Sequence, residues 1–291
     1  MRIVYHLGVH CTDEERLLRC LLKNRAALAA EGIVVPGPAR YRTLLRDTAM
    51  QLRGQPATQD TEALLLDQIM DEDAADRLIL SWDNFPCYAQ NALRGSQLLP
   101  GAAERMRAFA QVFPDLECEF HMAIRNPATF LPAVFAKQKG RTLEEFTEGL
   151  DPLAVRWSDV IATLRAANPE VPITVWCDED TPLLERDVLR SLTGHSETLE
   201  LEDADGVLAA IMRPEGLARL RAYLEERPPA DADQRRRIVS AFLDKFALPE
   251  EIEVEITMPG WTAGIVDQMT DAYDRDVGRI LRMDGVRMLL P

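Results

Sequence analysis

Apolar residues run through Arg2 to Val9 and then give way to a polar turn. After the turn, leucines recur at helical spacing (Leu17, Leu18, Leu21, Leu22 and Leu28) between Glu14 and Ala30. This pattern predicts a strand, a loop and a helix. A second apolar run, Arg77 to Trp82, follows a helical pattern at Thr61 to Asp73. A third, Glu117 to Ile124, follows a helix over Ala102 to Val112, and a fourth, Ile173 to Cys177, follows one over Leu153 to Ala167. Strands alternating with helices predict an α/β fold, a parallel β-sheet flanked by helices on both faces with right-handed crossovers. From Gly206 onward strand signals nearly vanish. Helical patterns cover Val207 to Glu226, Ala232 to Phe246 and Thr262 to Met283, divided by Pro228-Pro229 and by Pro249 to Pro259. They predict a mostly helical cap, residues 206–291, on a single domain spanning 1–291. No internal repeat is present, and the Pro-Pro pair is the one candidate hinge.

Composition narrows the class. The 291 residues are 47% hydrophobic, enough for a sizeable core. No run of eighteen apolar residues occurs, and MRIVYHLGV carries neither a basic leader nor a small-residue cleavage site, so a cytoplasmic protein without membrane insertion is expected. Five scattered cysteines (Cys11, Cys20, Cys87, Cys118 and Cys177) form no CxxC pair and read as reduced, mostly buried thiols. With 33 basic and 48 acidic residues the net charge is −15, which repels a nucleic-acid backbone. Each basic residue beside a ligand loop is therefore informative.

In open parallel sheets ligands bind outside the carboxyl ends of the strands, which directs attention to the loops His10 to Glu15, Trp82 to Pro86, Arg125 to Ala128 and Asp178 to Thr181. A strand, a short loop and a helix N-terminus form the general design of a phosphate site, because N–H donors and the helix dipole converge on one anion. The residues of this loop also fit a second role. Thr12-Asp13-Glu14-Glu15 reads as a capping box with Thr12 at the N-cap and Glu15 at N3, the carboxylates complementing the dipole themselves.

The segment HLGVHCTDEERLLRCLLKNRAALAAEGIVVPGPARYR resembles the opening of bacterial PAPS-dependent sulfotransferases, in which a His-Lys-Thr-Gly-Thr-Thr loop precedes such a helix, an "NR" and a "GI..P". LILSWDNF at 78–85, AIRNP at 123–127, ITVWCDED and PGWT…YDRDVGRI are similar to later segments of that family. The resemblance implies a P-loop-like α/β fold and a donor site for PAPS or PAP. Laid on this loop, the family's Lys falls on Cys11, its Thr on Thr12, its Gly on Asp13, and the next hydroxyl residues on Glu14 and Glu15. Only Thr12 is retained. Arg125 matches the arginine that binds the donor's 3′-phosphate, and the serine expected eight residues later is Ala133. The lost Lys removes a countercharge for the donor, and two carboxylates replace it. At about 4 Å each would repel a phosphate charge by roughly 1 kcal/mol in water and several times that at a lower dielectric.

Other loop residues carry open alternatives. Asp83, at a strand end, is the leading general-base candidate, followed by His10 and His121; alternatively Asp83 forms an Asx turn before Phe85-Pro86 and His121 is a hydrogen-bonded core residue. Arg125 either holds a phosphate or caps a strand end beside a local acid. One or two of Asp178, Glu179 and Asp180 are expected to cap the helix at Thr181-Pro182. Cys11 near a helix start is a reactive-thiol candidate opposed by neighbouring acids, and the run 234–237, QRRR, reads as a solvated helix face. Three functions follow: a sulfotransferase-like binding or regulatory protein with an eroded donor loop, its partner a protein or small molecule; an active PAPS-dependent transferase acting on a carbohydrate or small hydroxyl acceptor; and a divalent-metal enzyme built on clustered carboxylates, for which no known metal-loop spacing is present.

Overall fold

The computed structural model describes every residue except 253–255 and 257. In chain order its strands are β1 (Arg2–His6), β2 (Ile33–Val34), β3 (Arg77–Ser81), β4 (Leu93–Arg94), β5 (Gln97–Leu98), β6 (Glu117–Ile124), β7 (Ile173–Cys177) and β8 (Val286–Met288). β4 and β5 form a small antiparallel hairpin. The other six make one parallel sheet in the order β2-β3-β1-β6-β7-β8. The predicted α/β class, with a parallel sheet, flanking helices and a helical C-terminal region, is the observed one.

β1 is the pivot of this sheet. Its residues pair with β3 on one side and β6 on the other, so that His6 lies opposite both Ser81 and His121. The chain thus passes from one side of β1 to the other between β3 and β6, which opens a crevice at the carboxyl ends of these three strands. Alternation sorts the side chains by face. Ile3, Tyr5 and Leu7 enter the larger core with Leu80, Phe120, Phe130 and Trp157. Val4 faces the opposite way and packs in a second cluster with Leu17, Leu21 and Trp176, joined by Val188 and Leu192 of helix Thr181–Thr193. His6 and His121 are buried, and burial lowers both imidazoles below their ordinary value. His121 bonds Glu119 and His6 bonds the Ser81 hydroxyl, which matches the core reading of His121.

Several boundaries differ from expectation. The first helix begins at Arg16, not Glu14, and breaks at Asn24 into Arg16–Lys23 and Arg25–Ala29. The Asn24 amide donates to the carbonyls of Cys20 and Glu202, and its oxygen accepts the Glu202 N–H, so this side chain ties the helix end to a distant loop. β2, β8 and helix Pro38–Leu52 have no counterpart among the predicted elements. The two strands are only two and three residues long, too short for alternation to register. Pro214 divides the expected 207–226 helix into Gly206–Ile211 and Pro214–Glu226, because proline supplies no N–H to continue the first. The predicted break at 249–259 contains the four residues outside the description.

The C-terminal region serves two places. Leu208, Met212, Leu217, Leu220, Val239 and Phe246 form their own cluster, which partly buried Leu183 joins to helix Thr181–Thr193. Helix Ala263–Ile280 instead buries Met269, Tyr273 and Ile280 in the main core. There Asp276, 2% exposed, accepts hydrogen bonds from the Trp157 N–H (2.7 Å), the Ser158 N–H (3.0 Å) and the Ser158 hydroxyl. One helix thus caps the start of another. None of the described helices is long and apolar enough to cross a membrane. The Asp276→Ala substitution would leave these donors buried and unpaired, so it is expected to lower unfolding free energy by about 3 kcal/mol, with Asp276→Asn costing less. Urea unfolding of the two variants checks this order.

Candidate functional site

The loop leaving β1 supplies most of a cleft of about 350 Å³, whose wall also includes Arg19, Arg42, Ser81, Asp83 and Lys137. Its backbone is unusual for its sequence. Gly8 has φ 46°, and a Cβ there would lie 3.3 Å from the Asp83 nitrogen, so glycine lets the β1 and β3 loops pass closely without displacement or backbone strain. Cys11, Glu14 and Glu15 also lie in the left-handed region, at φ 62°, 50° and 60°. Among the described residues, the N–H groups of residues 8 to 15 donate to no protein acceptor. A left-handed loop with free N–H groups, running into a helix N-terminus, has the backbone features of an anion-binding turn.

The expected capping box is absent. The Thr12 hydroxyl donates backward to the Val9 carbonyl at 2.6 Å, and Glu15, at the helix N-cap, makes no side-chain cap bond. Asp13 takes over: its carbonyl accepts the Arg16 N–H and its carboxylate accepts the Leu17 N–H. The two left-handed glutamates point their carboxylates elsewhere. Glu14 accepts from Lys137 Nζ at 2.9 Å, and Glu15 accepts from Arg42 Nη2 at 2.7 Å. Lys137 closes helix Pro127–Ala136, and Arg42 sits on helix Pro38–Leu52, where its guanidinium also donates to the Ser81 carbonyl. Neighbouring Tyr41 donates to that same carbonyl and accepts the Ser81 N–H, which fixes the end of β3.

Asp83 and His10, the two candidates for proton transfer, meet. His10 Nδ1 lies 3.2 Å from Asp83 Oδ2, and its Nε2 lies 3.0 Å from the Cys87 carbonyl. Both ring nitrogens are therefore directed at protein oxygens. Asp83 forms no Asx turn, since the Phe85 N–H goes to the Trp82 carbonyl. Its side chain is 39% exposed to the cleft. Burial pushes the Asp83 carboxyl up, but the His10 bond and the charges of His10, Arg42 and Lys137 outweigh it and hold the group below its ordinary value. Asp83 is therefore an ionised acceptor at neutral pH and, of the two predicted bases that line the cleft, the exposed one.

On the other side of the loop, Arg125 neither pairs with an acid nor points freely outward. It donates to the Cys11 carbonyl and to the Thr129 hydroxyl, and its own carbonyl accepts from Trp157. Ala133 is partly buried against the main core. Cys11 is 5% exposed, and burial pushes its thiol up, which works against a reactive role. None of Asp178, Glu179 and Asp180 caps the following helix through its side chain. Glu179 accepts instead from the Asn126 N–H and the Tyr273 hydroxyl. Among the described residues no group of three or more His, Cys, Asp or Glu side chains is arranged to hold a metal ion.

Compared with known proteins, the chain matches no family model, no curated protein and no solved structure at a significant level. The site therefore has to be read from its own geometry. That geometry unites His10, Cys11, Thr12, Asp13, Glu14, Glu15 and Asp83 along one cleft, with Arg125 bracing the loop from behind. Sequence reasoning missed Arg42, Lys137 and Tyr41. Their signal was present only as basic and aromatic residues at helix ends in an acidic chain, because no fixed spacing links them to the loop they serve.

Asp178, beside this site, gives a test of its electrostatics. Burial pushes it up from 3.8 to about 7, with Glu179 and Asp13 adding to the effect and Arg125 and Arg16 opposing it. The folded protein thus binds this proton more tightly than the unfolded chain. The stabilisation is complete below the unfolded value near 3.8 and is lost as pH rises through about 7. Asp178→Asn, which stays neutral, is expected to match the wild type in urea unfolding at pH 4 and to exceed it at pH 8. A constant difference across that range would contradict the assignment.

Proposed function

We propose that this chain is a sulfotransferase-like binding or regulatory protein in which the donor cleft keeps its shape but has its charge compensated from within. One observation carries the reading: of the three cations that line the cleft, Lys137 and Arg42 are engaged by the loop's own Glu14 and Glu15, which leaves only the exposed Arg19 without an acid among the described residues. A phosphosulfate or bisphosphate entering the cleft would have to displace two carboxylates or bind beside them. In a medium of effective dielectric near 20, each carboxylate about 4 Å away opposes each anionic charge by roughly 4 kcal/mol. Both pairs are substantially solvent-exposed, so screening lowers that figure, but its sign is unchanged. The resemblance to PAPS-dependent sulfotransferases supplies the class, and the cleft supplies the reason why ordinary donor turnover is not proposed.

A second reading, an active transferase on a carbohydrate or small hydroxyl acceptor, is favoured by different features. The N–H groups of residues 8 to 15 have no acceptor among the described residues, and Asp83 faces the cleft as an ionised base. In that reading backbone amides replace the missing lysine, and Asp83 removes the acceptor proton.

Thermal unfolding with PAP at low salt separates the two. The wild type is expected to show no stabilisation by millimolar PAP, whereas the double variant Glu14→Gln and Glu15→Gln, which keeps size and removes both charges, gains several degrees. A ligand at a hundred times its Kd adds about 2.7 kcal/mol, well within reach of such a measurement. A clear rise in the wild type would support the transferase reading and justify an acceptor screen. No rise in either protein would remove PAP from consideration.

A further inference from the structure

The run 234–237 is a solvated face only in part: Gln234 and Arg237 are exposed, whereas the two arginines between them are not. Arg235 and Arg236 lie on helix Ala232–Phe246 with side chains only 13% and 17% exposed, and they line a second cleft of about 220 Å³. Arg186 and Arg190 enter the same cleft from helix Thr181–Thr193. Four guanidinium groups converging in a chain of net charge −15 need an explanation. The cleft shares no lining residue with the one beside β1.

The local acids do not use up these donors. Asp205, 9% exposed, is shared: it accepts from Arg186 at 3.2 Å and from Arg235 Nη2 at 2.5 Å. Arg236 holds Asp187 at 2.9 Å and Asp233 at 2.6 Å, yet its Nε is buried without a partner among the described residues. Glu200 and Glu197, the partners of Arg186 and Arg190, are 76% and 92% exposed, so water screens them. Asp231 lines the cleft as well, but its carboxylate caps its own helix through the Gln234 N–H. Arg235 makes no bond through Nε or Nη1 to any described residue. The four charges are thus paired, but donors remain open: the buried Arg236 Nε and the Nε and Nη1 of Arg235 have no acceptor among the described residues, and buried donors are ordinarily satisfied.

We propose that this cleft binds a small phosphate monoester. The forked donors of Arg235 and Arg190 suit a tetrahedral oxyanion held by paired N–H groups. Leu183, Leu199 and Leu201 also line the cleft and offer an apolar wall to the body that carries the phosphate. The volume admits a single small ligand. Binding is independent of the donor cleft and of the function proposed for it.

Titration with phenyl phosphate at low ionic strength, followed by protein NMR, tests this. Saturable shifts are expected for the wild type, with binding weaker for inorganic phosphate, which cannot use the apolar wall. Arg190→Gln, a change at a half-exposed position, and Arg235→Lys, which keeps the charge beside Asp205, should each weaken binding about tenfold, while Lys137→Gln leaves it unchanged. The proposal is overturned by the absence of saturable shifts in the wild type, by equal affinity for the two probes, or by binding that both arginine variants leave intact.

Discussion

The conformation of the loop after β1 is the constraint on which the site depends. Three residues other than glycine, Cys11, Glu14 and Glu15, are held in the left-handed region, each at a cost of roughly 1–2 kcal/mol. Two exposed ion pairs, worth at most about 1 kcal/mol each, do not offset that. The loop is held instead by less exposed hydrogen bonds: Thr12 to the Val9 carbonyl, Leu17 N–H to Asp13, and Arg125 to the Cys11 carbonyl. Shape and charge are thus set by different residues. Thr12, Asp13 and Arg125 fix the backbone, and Glu14 and Glu15 decide what that backbone will attract.

The sheet explains why the loop lies where it does. With β3 and β6 on either side of β1, the loops after all three strands must meet, and each contributes one element of the site. The β1 loop brings free N–H groups, the β3 loop brings Asp83, and the β6 end brings Arg125. Gly8 permits the first two to touch, and Tyr41 locks the end of β3 against helix Pro38–Leu52, which in turn delivers Arg42. The cations of the cleft come from helices on the flanks of the sheet rather than from the loop itself. A lysine within the loop would follow the phosphate automatically, whereas Lys137 and Arg42 engage whatever anion the loop presents.

The fold was largely legible in the sequence because four of the strands are long apolar runs separated by periodic helices. Glu117–Ile124, Ile173–Cys177 and Ala232–Phe246 fall on the residues that the patterns indicate. β2 and β8 escaped because two or three residues carry no period. The site was legible as a set of loops but not as a set of interactions. Thr12-Asp13-Glu14-Glu15 has the spacing of a capping box, and local propensity favours that outcome; Lys137 and Arg42, far away in sequence, draw the glutamates out and leave Asp13 to cap. The position of Arg125 after a strand suggests a phosphate or an acid as its partner, yet a backbone carbonyl of the neighbouring loop lies closer. In each case a contact between distant segments decides against a local signal.

Glu14 and Glu15 are proposed to occupy, in charge, the place of a bound anion. A crystal structure of the wild-type protein grown at low salt with excess PAP tests this most directly. The expected result is Glu14 on Lys137 and Glu15 on Arg42, with no phosphate within hydrogen-bonding distance of the N–H groups of residues 10 to 15. A phosphate seated on those N–H groups, with Lys137 and Arg42 turned toward it and the two glutamates displaced, would contradict it.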